Sequence, residues 1–544
     1  MNIRPASEIL RGTSLVAALT LVSRIFGFIR DMLVASLFGA GQFADAFFVA
    51  FRIPNLLRSF VAEGALTSAF VPVFSGEVVK GKQAAQAALS AVLSALLVCT
   101  AFLSIGGIVF ARQIVLLFAP GFVENPSKLE LCVLLTQIMM PYILFVSLVA
   151  LLNGALNAYR VYGISALAQV IMNVCLIAGA FVASLYVAEE AAVVLAISVL
   201  VGGIVQVVAQ LPALARAGLK LLPSTHILSP ATAQVAKLML PALIGATIYQ
   251  FSIFLNTVLA SLLVEGSVSW LYYADRVTQL PIGIFTISLA SVLLPSLSRA
   301  SSSGNQVEFS NSLSNAIGFT GFIILPVAAI LCALADPIVG VLFERGAFDS
   351  YAREQTAMAL QAYCVGLWAV SAHSMLTRAF IAKKDTLTST LVGVLSLITT
   401  FVCSLMFIGP LETKVGVLGS AISGLQAALP EGMKSLNLGH VGLALATSVG
   451  SFVSFFVLAG RLSGRIGAFN WGKVWVSTLR SFIPAVLAGL VAHQTFSVSN
   501  NQLISLALSS AAAVCVYLIG ALALKSFEAQ ETFRLFARLI KRRR

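Results

Sequence analysis

Apolar runs about one membrane thick follow one another along the whole chain, separated by short polar connectors. A spanning helix needs about twenty predominantly apolar residues, and by that measure about fourteen segments qualify. They run over 13–38, 43–75, 84–111, 129–156, 162–187, 191–214, 233–263, 274–298, 312–343, 355–381, 387–409, 439–461, 474–496 and 502–525. Irregular backbone cannot face lipid, and no ten-residue alternating pattern of barrel strands recurs, so the spans are helices. The pattern predicts an all-α polytopic membrane protein. The second segment exceeds one crossing and holds Pro54 and Pro72, which predicts a kink or a break.

Composition removes the soluble alternatives. Of 544 residues, 59% are hydrophobic and only 10% charged, with a mean hydropathy of +0.97. The formal net charge of +13 is largely topological. Lys80, Lys82, Arg160, Arg216, Lys220, Lys237, Arg299, Lys383, Lys384, Arg461, Arg465 and Lys473 fall in connectors on one side, with about half as many cations opposite. The tail adds Arg534, Arg538 and Lys541 to Arg544, so both termini are expected in the cytoplasm and nucleic acid need not be invoked. Phe533, Leu535, Phe536, Leu539 and Ile540 make that tail amphipathic, suited to anionic membrane lipids. The first run, with Arg24, Arg30 and Asp31 inside it and no convincing cleavage site, is expected to be a span rather than a removable signal. Seven cysteines lie in apolar runs without a CxxC pair and are expected to be buried small hydrophobes. His226, His373, His440 and His493 are scattered, so neither a metal nor a cofactor is expected.

Sliding the chain against itself by 225 residues reveals a repeat. Leu33–Phe38 faces Val258–Leu263, Gly41 faces Gly266, and Phe47-Phe48 faces Tyr272-Tyr273. Gly121 faces Gly346, and Pro72 meets Pro295 at a nearby offset. A unit of six spans inserts twice in the same orientation, an arrangement typical of secondary transporters that bind cargo between two halves. The expected domains are an N-lobe at 1–222, a C-lobe at 223–470, two additional spans at 471–527 and a basic tail at 528–544.

Charges inside spans carry the functional signal, because each costs roughly 2.5–3.5 kcal/mol at a helix centre and so faces water or a partner. Arg24, Arg30, Arg52 and Arg58 occupy the first two spans with Asp31, Asp45 and Glu63, while Asp275 and Arg276 occupy the eighth. Five arginines outnumber four carboxylates, and the surplus suits an anion. The planar guanidinium matches phosphate oxygens in pairs and keeps its charge when buried. The plainer alternative is structural pairing, Arg24 with Asp31 and Asp275 with Arg276 or a first-lobe arginine, with Arg52 and Arg58 marking the interface. Asp45 and Glu63 are expected to orient arginines or exchange protons.

At these motifs the chain resembles the MurJ (MviN) lipid II flippase family of the multidrug/oligosaccharidyl-lipid/polysaccharide exporter superfamily. The resemblance rests on Ser23-Arg24-Ile25-Phe26-Gly27-Phe28-Ile29-Arg30-Asp31, on the run from Ala44-Asp45 to Leu57-Arg58, and on Ala62-Glu63-Gly64-Ala65. It continues through Ala119-Pro120-Gly121-Phe122, Pro141-Tyr142-Ile143-Leu144, Ser267 to Arg276, and Leu293 to Ser298. It implies two six-helix lobes plus two helices, and a monomer that moves lipid II, the undecaprenyl-pyrophosphate-linked peptidoglycan precursor, to the outer leaflet of the bacterial inner membrane by alternating access. Arg24, Arg30 and Arg276 match family arginines of a central cavity, Arg58 and Asp45 match supporting positions, and the last two spans match a groove for the polyprenyl tail. Some relatives place sodium-binding carboxylates in spans seven and eleven. None lies here within 233–264 or 386–409, so sodium coupling is not expected. The Gly/Ser/Ala-rich stretch 412–440 is expected to be an extra external element or partial helix.

Four other readings compete. A flippase for another polyprenyl-linked oligosaccharide would differ only in detail, whereas a drug exporter would favour cations. A membrane enzyme acting on polyprenyl phosphates would need a metal-binding carboxylate cluster or a nucleophile with its base, and neither GxSxG, Walker A nor a DxxD-type run occurs. A passive scaffold leaves the surplus arginines unexplained.

Overall fold

The computed structural model describes all residues except 1–5, 62–64, 162, 412–415, 429, 431–435, 466–468, 497–500 and 544. Among the described residues the regular structure is entirely helical. In chain order the helices are α1 (Ala6–Phe38), α2 (Gln42–Val61), α3 (Ala65–Lys80), α4 (Lys82–Val109), α5 (Ala111–Phe118), α6 (Pro126–Met139), α7 (Tyr142–Ala158), α8 (Gly163–Ala183), α9 (Ala188–Arg216) and α10 (Pro230–Ser261). There follow α11 (Ser267–Pro281), α12 (Ile287–Ser302), α13 (Gln306–Ala333), α14 (Ala335–Phe343), α15 (Ser350–Ala382), α16 (Thr386–Phe407), α17 (Gly416–Ala427), α18 (Gly439–Arg465), α19 (Trp471–Thr495), α20 (Gln502–Ala523) and α21 (Phe527–Arg543).

Eleven segments of the described structure are long and apolar enough to cross a membrane. They coincide with eleven of the expected spans, and the other three expected spans fall on α1, on α2 with α3, and on α10. This is a polytopic membrane protein. Pro54 and Pro72 both lie inside helices, α2 and α3 respectively. Between α11 and α12 one π-helical turn, Ile282–Thr286, follows Pro281, where the ring removes a ladder donor and widens the helix.

Packing divides the chain into two compact units. The first comprises 1–269 with 345–348 and 413–421, and the second 270–344, 349–412 and 422–544. In the first, α10 packs against α3, α2 and α4, so the packing boundary lies beyond the lobe boundary expected near residue 223. Residues 225 apart make matching contacts there. Gly121 lies so close to the end of α10 that a Cβ would meet the Ser261 carbonyl oxygen at 1.9 Å. Gly346, at φ +60°, likewise sits on the Ser36 carbonyl near the end of α1, at 2.3 Å from a hypothetical Cβ. Ala347 N–H donates to that same oxygen at 2.8 Å. Glycine is required at both places because backbone meets backbone. Two equivalent contacts, each a glycine against a serine at or near the end of a long helix, join positions 225 residues apart.

In the second unit, α13, α15, α18 and α19 form a core around Phe309, Trp368, Phe380 and Phe455. The additional pair, α19 and α20, packs on α13 through small residues, Ala485, Ala488, Ala492, Ala513 and Ala521. Such residues let helices approach closely where lipid offers no hydrophobic driving force. Tyr517 hydroxyl donates to the Phe322 carbonyl at 2.6 Å across that joint.

One expectation is revised here. Cys132 and Cys364 are buried, but Cys99 and Cys515 are exposed. They stand on outward faces of α4 and α20, where a membrane helix is as apolar outside as inside, so an apolar run does not predict burial. The 412–440 stretch contains helix α17, with Gln426 buried and donating to the Leu405 and Gly409 carbonyls.

Candidate anion-binding site

The first unit builds its charged centre on α1 and α8. Arg30 donates through Nε and Nη2 to one oxygen of the buried Asp31, at 3.0 and 2.7 Å. Its Nη1 donates to Asn173 Oδ1 at 3.1 Å, and Asn173 Nδ2 donates back to the Ser23 carbonyl of α1 at 2.9 Å. Asn173 stands 3.4 Å from a Cβ built at Gly27, so the bare turn between Arg24 and Arg30 is where α8 presses its amide on α1. In place of the Arg24–Asp31 pair of the plainer alternative, Asp31 pairs with Arg30, since the flexible arginine stem reaches a neighbour that helix spacing alone would put on another face. Arg24 is half-buried, and among the described residues no hydrogen bond or ion pair engages its side chain.

Asp45 does something different from what its sequence position suggests. It is 1% exposed and forms an ion pair at 2.7 Å with Lys128 of α6, itself 6% exposed. It also accepts from Gly266 N–H at 2.9 Å, Ser269 N–H at 3.0 Å and Ser269 Oγ at 2.6 Å. These amides are orphan donors at the start of α11, so Asp45 caps that helix from another element. Among the described residues its partners include no arginine, so of the two roles expected for it, orienting an arginine or exchanging protons, the first finds no partner here. Arg52 donates to Thr257 Oγ1 of α10 at 2.6 Å, and Arg58 Nε to Asn55 Oδ1 at 2.9 Å. Glu63 lies outside the described residues.

The second unit carries its cation on one face of α11, where positions 272, 275, 276 and 279 follow helical spacing. Arg276 donates to Tyr272 hydroxyl at 3.0 Å and to Gln279 Oε1 at 3.2 Å, with its guanidinium 4.7 Å from the Tyr272 ring centre. Gln279 Nε2 donates to Asp275 at 2.5 Å, so one amide links both charges. Tyr272 and Gln279 were readable at i−4 and i+3 from Arg276. Asn173 could have been flagged as an amide deep in an apolar span, whereas nothing local singles out Lys128 as the partner of Asp45.

A sequence model of the family described as "Lipid II flippase MurJ" matches residues 34–430. The chain belongs to the MurJ lipid II flippase family. The "Lipid II flippase MurJ" of Burkholderia cenocepacia is 34% identical over 494 residues, covering 89% of each chain. A "Probable lipid II flippase MurJ" of Rhizobium meliloti is 39% identical over 378 residues, covering 69% of this chain and 70% of its own. The solved structure "Lipid II flippase MurJ, inward closed conformation" superposes with a TM-score of 0.75 at 25% identity, covering 93% of this chain and 98% of that one. A multidrug-resistance transporter of the MATE family, in an inward-facing conformation, shares the fold at a TM-score of 0.62 and 16% identity. MurJ proteins are transporters, so the competing enzyme reading falls away.

Proposed function

We propose that the protein translocates lipid II from the cytoplasmic to the outer leaflet of the bacterial inner membrane by alternating access. Arg24, Arg30 and Arg276 engage the pyrophosphate, with Arg52 and Arg58 contributing positive potential. The observation that carries this reading is Arg24, a half-buried guanidinium inside a membrane helix that no side chain among the described residues neutralises. Leaving such a cation unpaired costs free energy unless a ligand or water meets it, and a diphosphate supplies the matching acceptors. Asp31 with Asn173, and Asp275 with Gln279, orient Arg30 and Arg276. Asp45 holds the start of α11, and Glu63 stays a supporting candidate by family resemblance. The protein acts as a monomer with both termini in the cytoplasm. Its lobes follow the duplication at 1–222 and 223–470, and the 471–527 pair shelters the polyprenyl tail.

Alanine at Arg24, Arg30 or Arg276 is expected to abolish complementation of a flippase-depleted cell while protein level and membrane insertion stay normal. Lysine should rescue only in part, because a point charge cannot reproduce the fork. Full complementation by all three alanine variants would remove the anion site.

A further inference from the structure

Arg378 is a cation the charged centres above do not use. It lies on α15, four residues before the helix ends at Ala382, and is half-buried. Among the described residues no hydrogen bond or ion pair engages its side chain. An arginine near a cytoplasmic helix end often does nothing more than reach the headgroup layer. The rest of its stripe argues otherwise. On this part of α15, Ala372, Met375, Leu376, Ala379 and Phe380 are fully packed. The half-exposed positions alternate with them and read His373, Ser374, Thr377 and Arg378. A face left open to hydrocarbon would be apolar, as it is at Val365 on the same helix. Thr377 Oγ1 lies 3.4 Å from His373 Nε2, which continues the polar stripe about a turn deeper than the arginine.

A buried bond fixes the height of this stripe within the second unit. Thr286 Oγ1 donates to Ser371 Oγ at 2.8 Å, holding the π-helical turn after α11 level with the middle of α15. At about 1.5 Å per residue, Arg276 lies roughly 15 Å to one side of that level and Arg378 roughly 10 Å to the other. The two arginines thus stand near opposite ends of the membrane depth, with Gln279, His373 and Thr377 between them in height.

We propose that Arg378 is the diphosphate's first docking point on the second unit, a cytoplasmic-side subsite that captures the head group before Arg276 receives it. This inference rests on the transport reading above. An early capture site governs how much substrate is needed rather than how fast the bound substrate crosses. In proteoliposomes holding the full-length protein and fluorescent lipid II, Arg378→Gln should raise the half-saturating lipid II concentration about tenfold and change the maximal flipping rate less than twofold. Arg378→Lys keeps the charge that topology requires but loses the fork, and should raise half-saturation two- to threefold. Wild-type half-saturation in Arg378→Gln, or in Arg378→Lys if the glutamine variant does not accumulate, overturns the proposal. Arg24→Ala and Arg276→Ala measured alongside separate the two levels. If they lose flipping while Arg378 variants behave as wild type, only this subsite fails. If they too flip normally, the cationic site itself is wrong.

Discussion

The nine charged residues singled out in the sequence separate, at the residue scale, into groups with different work. Arg30 and Asp31 form one unit held by Asn173, and Asp275 and Arg276 another held by Gln279. Asp45 instead belongs to stability. Its carboxylate satisfies a buried lysine and three donors around the start of α11, and breaking a buried pair by removing one partner typically costs about 3–5 kcal/mol. Asp45→Ala is therefore expected to lower the unfolding temperature of the purified protein sharply. Asp45→Asn, which can still accept from the backbone, should lose less. Unchanged melting of Asp45→Ala, followed by intrinsic fluorescence, would return Asp45 to a direct part in transport. The residue types and their excess of arginine were legible in the sequence because charge in a span is costly wherever it occurs. Which charge pairs with which was not, since Lys128 and Asp45 stand 83 positions apart and arginine stems bridge helix faces.

At the scale of elements, hydropathy located nearly every crossing because lipid imposes a single length on all of them. Interruptions were harder to place. Pro54 and Pro72 marked the second segment, α2 and α3, as irregular, yet the π-helical turn seen among the described residues follows Pro281 of α11, since neighbouring helices decide whether a freed carbonyl is met inside the helix. The additional helices show why a truncation would be a poor probe of the groove. Removing α19 and α20 would uncover the α13 face they cover through Phe322, Ala485 and Ala488. Their outward faces offer a cleaner test, because Leu479, Phe482 and Leu490 of α19 are exposed. Buried methylenes contribute about 0.8 kcal/mol each. Serine at these three positions together should weaken binding of undecaprenyl-linked lipid II at least severalfold more than that of a short-chain analogue, measured on detergent-solubilised protein. Equal weakening for both chains would assign the pair to assembly instead.

On the scale of the whole molecule, the chain is a duplicated helical transporter of the MurJ family, and the two glycine–serine contacts 225 residues apart preserve the trace of that duplication. The repeat was legible because backbone-to-backbone approach tolerates only glycine. The split of the chain by packing was not, because α10, expected in the C-lobe from residue 223, packs in the first unit. The proposed orientation rests on the positive connectors. A reporter active only in the cytoplasm, fused after Arg544, should be active, and cysteine placed in the 39–41 turn should react with an impermeant thiol reagent from outside. Labelling of that turn only after permeabilisation would invert the topology. The central claim, movement of lipid II across the bilayer, is tested most directly by depleting the protein from growing cells and measuring how much lipid II an externally added cleaving enzyme can reach. The account predicts that externally accessible lipid II falls while total lipid II rises, and that wild-type protein but not Arg24→Ala restores access. Undiminished access after depletion, with total lipid II unchanged, would contradict it.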